Sequence, residues 1–286
     1  MIRKIYTLLF VFLLLMSCSP NSKIKTEQYE LQKSKHEKSV LIIFPCFMCS
    51  VENTKQEANF LKDIQNKKVT TLILNYNQKL FLEDFEKKEL SDLLESIFKE
   101  NNLNKHNVFY GGFSSGGNIA LLLGNYQNQN KTEIIPKGIF VVDSPLDLEL
   151  LYKSSQKDVE SNGESAFLID FFENSIGNPI QNKENYIKYS PFLVSEKTQP
   201  NLDDLKFSKI RFYSESDFEW FKTNRNKEKE ELNFYHLLEA EKCLKTKDFS
   251  VEFIKTKNRG YRANGDKHPH SWNLVEQNEL LNWIFD

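Results

Sequence analysis

Cysteine is scarce in this chain: four residues, one of them, Cys18, at the foot of the N-terminal apolar segment. Cys46, Cys49 and Cys243 cannot all pair with one another, so no disulfide framework is expected to hold the fold. An excess of charge of either sign is missing too. The 38 basic and 40 acidic residues leave a net charge of −2, which argues against nucleic acid or a polybasic membrane patch. No internal repeat and no G-x-G-x-x-G pattern is present, so neither a repeat array nor a dinucleotide site is expected, and no cofactor is implied. Apolar runs of membrane-spanning length are absent as well. The longest, Ile5 to Met16, is too short for a comfortable span.

That run has a meaning of its own. Arg3 and Lys4 precede it, and Leu15-Met16-Ser17-Cys18 closes it with a large apolar residue, a small residue and a cysteine. The arrangement resembles a bacterial lipoprotein signal. The resemblance implies removal of residues 1–17, a lipid on Cys18, and a protein exported to the bacterial cell envelope and tethered to a membrane. Residues 18–37 then read as a polar, lysine-rich tether with one short strand around Glu27 to Leu31. Residues 38–286 are long enough for one domain with a sizeable core. Hydrophobic residues at 40% and charged residues at 27% are ordinary for a globular protein, and 23 Phe with 11 Tyr favour an aromatic-rich core.

Within that domain strands and helices alternate. Val40 to Phe44, Val69 to Leu74, Asn107 to Gly111, Gly138 to Asp143, Lys209 to Ser214 and Ser250 to Lys255 read as strands, the first as a continuous apolar run buried on both faces. Ala58 to Ile64, Leu80 to Phe98, Glu228 to Leu244 and Trp272 to Phe285 read as helices, with Ser271 as the cap of the last. Between 146 and 204 the pattern loosens around one amphipathic helix, Glu164 to Ile176, and reads as a small inserted lid. The expected class is α/β, a mostly parallel sheet covered by helices on both faces.

Gly112-Phe113-Ser114-Ser115-Gly116 follows the strand at 107–111 and leads into the apolar helix from Asn118. Glycines two before and two after a serine allow an abrupt strand-to-helix turn that leaves the hydroxyl exposed at the top of a sheet. A serine needs a base, and the base an acid to orient it. Both are available after later strands, in Ser214-Glu215-Ser216-Asp217 and in His268-Pro269-His270-Ser271-Trp272. With these residues the chain resembles the α/β-hydrolase family over about residues 38–286. The resemblance implies a serine hydrolase, most simply one acting on a carboxylic ester, whose substrate is a small molecule or an acylated glycan. Ser114 is the expected nucleophile. Asp217 is the expected acid, with Glu215 and Asp143 as alternatives. His270 is the expected base, with His268, two residues earlier, as the alternative. The family's oxyanion donors map to the amide of Ser115 and to Phe47 in the loop Pro45-Cys46-Phe47-Met48-Cys49, where the family's usual glycines are missing.

Other readings compete. Asp266, His268 and His270 offer metal-ligating atoms but crowd them into one short segment, so no metal is expected. Cys46 and Cys49 form a C-x-x-C pair after a buried strand, where a redox couple would sit, although export makes an accessory disulfide the simpler outcome. A tethered binding protein that kept the fold without the activity is the third reading. His36, His106 and His236 read as surface residues, and Phe167, Phe171, Phe172 and Trp220 as candidate pocket walls.

Overall fold

The computed structural model describes residues 22–286; the expected signal segment and Cys18 lie outside them. Eight strands form one sheet: β1 (Lys23–Lys25), β2 (Tyr29–Gln32), β3 (Ser39–Phe44), β4 (Val69–Leu74), β5 (Val108–Phe113), β6 (Gly138–Val142), β7 (Lys209–Glu215) and β8 (Val251–Thr256). Their order across the sheet is β1-β2-β4-β3-β5-β6-β7-β8. From β4 to β8 every pairing is parallel. β1 and β2 add an antiparallel edge. Part of the segment read as a tether thus belongs to the sheet: Tyr29 to Gln32 pairs with β4, and Leu31 is fully buried.

Why β3 and β5 sit at the centre follows from their sequence. Every residue of both is buried, and each fully buried Leu, Ile or Phe side chain contributes roughly 2 kcal/mol. Alternate residues serve opposite faces, as the pleat requires. Val40, Ile42 and Phe44 join one core with Tyr110, Val141 and Phe212. Leu41 and Ile43 join the other with Phe109, Phe140 and Tyr213. The first face is covered by α2 (Asp84–Asn101), α3 (Ser115–Asn130) and α8 (Asn233–Thr246); the second is covered by α1 (Val51–Glu57), α9 (Gln277–Phe285) and the turn at Trp272–Leu274.

Several boundaries shift from the sequence reading for local reasons. Ser50 caps α1 by accepting from the Asn53 amide, which starts a helix earlier than Ala58; only short 3₁₀ turns follow. Ser271 caps a single turn, and the closing helix begins afresh behind Glu276. The span from 228 to 244 likewise divides into one turn and α8.

The insertion between β6 and β7 holds three helices, α4 (Leu148–Lys157), α5 (Gly163–Ser175) and α6 (Lys183–Tyr189). Asp147 anchors its base, accepting from the Leu150 amide at 3.0 Å and the Val194 amide at 2.8 Å. Burial raises the pKa of this carboxyl group, and the two amides oppose that. A short helix, α7 (Phe218–Arg225), follows β7. Among the described residues no helix is long and apolar enough to cross a membrane.

Candidate active site

Ser114 occupies the turn between β5 and α3 with φ 54° and ψ −126°, a conformation that non-glycine residues adopt only where the surroundings enforce it. Two glycines allow that enforcement. A Cβ on Gly112 would lie 2.3 Å from the carbonyl oxygen of Gly116, and one on Gly116 would lie 2.1 Å from that of Phe44. The first turn of α3 therefore rests directly on the β5 strand end and on the loop after β3. From Val108 to Gly124 every residue is buried except Ser114. Its neighbour Ser115 points inward, with a buried hydroxyl that has no hydrogen-bond partner among the described residues.

The backbone amide of Ser114 donates to Val142 at the end of β6 (2.9 Å), and the next residue there is Asp143. Asp143 is buried and also has a positive φ, 45°. One carboxylate oxygen lies 2.6 Å from Nδ1 of His270. The other accepts the hydroxyl of Ser214. Its backbone is fixed twice, by its own amide donating to Tyr213 (2.8 Å) and by Asn233 Nδ2 donating to its carbonyl (2.8 Å). The His270 ring lies against Phe113, centroids 4.4 Å apart, beside the residue that precedes Ser114. Strand ends β5 and β6 and the segment before α9 thus bring a serine, a carboxylate and an imidazole to one edge of the sheet.

Compared with solved structures, the chain is similar to carboxyl esterase 2 of the fungus Tuber melanosporum, at 13% identity and TM-score 0.58, covering 94% of this chain and 87% of that one. It is also similar to an esterase of the bacterial hormone-sensitive lipase family, at 10% identity and TM-score 0.56, covering 92% and 81%. A third is the fluorophosphonate-binding serine hydrolase F of Staphylococcus aureus, at 11% identity and TM-score 0.55, covering 91% and 92%. No protein-family model and no curated protein matches the sequence. The fold is that of the α/β hydrolases.

Within this α/β-hydrolase fold the carboxylate beside His270 is that of Asp143, not of Asp217. Asp217 caps α7, accepting from the Trp220 amide at 3.1 Å, and is ion-paired with Lys267, which holds its pKa below the usual carboxylate range. Glu215 is occupied as a staple: one oxygen accepts the amides of Arg259 (2.8 Å) and Gly260 (3.3 Å), holding the loop that leads to His270. His268 is likewise held at both ring nitrogens, Nδ1 2.9 Å from the His270 carbonyl and Nε2 3.4 Å from a nitrogen of Arg225. Burial, reinforced by Arg262, pushes its pKa down to about 4. With Nδ1 protonated and donating to the carbonyl, Nε2 is left to accept from the guanidinium. Asp266 pairs with Asn264, so Asp266, His268 and His270 point to three different partners.

The loop after β3 carries a disulfide between Cys46 and Cys49, while Cys243 has no disulfide partner among the described residues. The Met48 amide donates to Asn77 (2.6 Å), and Asn77 donates back to Cys49 (2.7 Å). Phe47, between the two cysteines, packs on Phe167 (5.4 Å) and Phe171 (5.6 Å) of α5, so those two aromatics face the loop. Phe172 is instead a core residue, fully buried against Tyr152 and Tyr186. Trp220 lies over His268.

His236 is buried rather than exposed. Its Nδ1 accepts the Asp147 amide at 3.4 Å, and burial lowers its pKa to about 4, against an opposing pull from Asp143. The unfolded imidazole takes up a proton near pH 6.5 while the folded one resists until about 4, so the unfolded state binds more protons in that window. Stability is then full above about pH 6.5 and falls by about 3 kcal/mol as the pH drops to 4. Urea midpoints measured across this range should show that slope, and His236→Gln should flatten it.

Proposed function

We propose that this chain is a serine hydrolase of carboxylic esters in which Ser114 is the nucleophile, His270 the base and Asp143 the acid. The observation that carries the reading is the 2.6 Å contact between Asp143 and His270 Nδ1, on a ring packed against the residue before the strained Ser114. With Nδ1–H donated to Asp143, Nε2 is the nitrogen free to take the Ser114 proton and return it to the leaving alcohol. Water then resolves the acyl-enzyme. The amides of Ser115 and Phe47 are the proposed oxyanion donors. First-turn amides of a helix have no intrahelical acceptor, and the Gly116 contact with Phe44 brings that turn against the loop leading to Phe47. Phe167 and Phe171 supply an apolar wall for the acyl group. The signal-like segment supports placing the enzyme on a bacterial envelope membrane through lipid on Cys18.

A fluorophosphonate probe tests the reading directly. The wild-type protein is expected to be labelled and Ser114→Ala to remain unlabelled, in protein whose far-UV circular dichroism shows it folded. Labelling that survives in Ser114→Ala would remove the nucleophile, and a folded wild type that takes no label would favour a binding protein.

A further inference from the structure

Residues 260–268 form a short hairpin that delivers His270. His268 donates its amide to Gly260 (2.8 Å), Tyr261 bridges Lys267, and the Arg262 amide donates to Asp266 (2.8 Å). Ser271 Oγ closes the base by donating to Tyr261 (2.7 Å). Against this hairpin lies α7, through the Arg225–His268 contact at 3.4 Å, the Trp220–His268 ring contact at 4.9 Å and the Asp217–Lys267 ion pair. Two guanidiniums are thereby brought to the edge of the site, one on each element. Arg262 is half-buried and lies within electrostatic reach of Arg225 and His268, and burial lowers its pKa.

Neither arginine has a direct ion-pair partner. Among the described residues no carboxylate lies within 4.0 Å of either one. Arg211, by contrast, is held by Glu252 and Glu279, each at 2.5 Å. Glu57 and Glu164 act on Arg262 from farther away, and Glu57 already accepts the Ala263 amide at 3.0 Å. Glu164 belongs to the first turn of α5, the helix whose Phe167 and Phe171 meet Phe47. Arg262 therefore lies within electrostatic reach of the helix that carries the aromatic wall. A partly desolvated guanidinium beside a second one is unfavourable unless an anion completes the arrangement. His268, held neutral at both nitrogens, presents Arg225 without adding a third charge.

Resting on the ester-hydrolase reading, we infer that Arg225 and Arg262 bind an anionic oxyacid group of the substrate, so that the substrate is an ester carrying a second, negatively charged carboxylate or phosphate. Both anions offer paired oxygens that match guanidinium donors. A bound anion at this rim also favours the positive charge that His270 gains when it takes the serine proton.

The test compares three p-nitrophenyl esters with full-length protein: the neutral butyrate, the glutarate with a free carboxylate, and 4-phosphonobutyrate. At low ionic strength at least one anionic ester should exceed the butyrate in kcat/KM by about tenfold or more, and the faster of the two identifies the anion. Added salt should erode the preference. In the double variant Arg225→Gln, Arg262→Gln the anionic-to-neutral ratio should collapse to about one, and Arg262→Lys should keep part of it. Ser114-dependent hydrolysis with a wild-type ratio near one, or a ratio unmoved in the double variant, overturns the inference and leaves the hydrolase intact. Failure to cleave any of the three esters removes the hydrolase reading and this inference with it.

Discussion

Asparagine in place of Asp143 is expected to lower kcat on a chromogenic ester by about four orders of magnitude, with little change in KM. The carboxylate fixes the imidazole with its proton on Nδ1 and balances the charge that develops there. An amide of the same shape can present its NH₂ group instead and favour the other tautomer. Ser114→Ala should cost more, on the order of 10⁶-fold, because it removes the attacking atom itself. Asp217→Asn is the discriminating comparison. Its carboxylate caps α7 and pairs with Lys267, so its loss should leave kcat within a few-fold. Steady-state kinetics on the three purified variants separates the two aspartates, and a large loss in Asp217→Asn with a small one in Asp143→Asn would reverse the assignment.

Gly116→Ala is expected to destabilise the protein by about 3 kcal/mol or more. Its added methyl would meet the carbonyl oxygens of Phe44 at 2.1 Å and Pro45 at 2.5 Å, backbone atoms that cannot rotate aside. Relief requires α3 to lift away from the end of β3, which also moves the loop that carries Phe47. A lowered melting temperature, by roughly 6 °C or more, should accompany reduced activity in whatever fraction stays folded. Gly163→Ala supplies the control. Nothing lies within 4 Å of a Cβ there, and the residue opens α5, so the same substitution should be neutral or stabilise by up to about 1 kcal/mol. Thermal unfolding of both variants checks the contrast.

The alternation of apolar runs made the parallel sheet legible, because strands buried on both faces leave no other pattern. The turn around Ser114 was legible for a related reason: close backbone approach demands glycine at fixed offsets. His270 could be ranked ahead of His268 from its place before the last helix. The carboxylate could not be settled in this way, since Asp143, Glu215 and Asp217 all follow strand ends. What separates them is the backbone turn at Asp143, set by its positive φ and by Tyr213, Ser214 and Asn233 from distant parts of the chain. His236 was misjudged because a lone histidine on a mixed helix gives no sign of its face. The anion site proposed at Arg225 and Arg262 leaves no trace in the sequence for the same physical reason. The two arginines acquire meaning only when a hairpin and a helix 37 positions apart in numbering touch through His268.

One β–α–β stretch, from β5 through Asp143, holds two of the three residues proposed to react, whereas the third follows the hairpin at 260–268. That hairpin is largely exposed between Lys257 and Lys267, whereas the α9 residues behind it, Leu280 and Trp283 among them, are buried. Under the proposed chemistry, a protease cutting near Arg259 would leave the turn at Ser114 in place while freeing the segment that carries His270. Turnover, if the proposed triad carries it, would then report whether that hairpin is docked on the sheet edge.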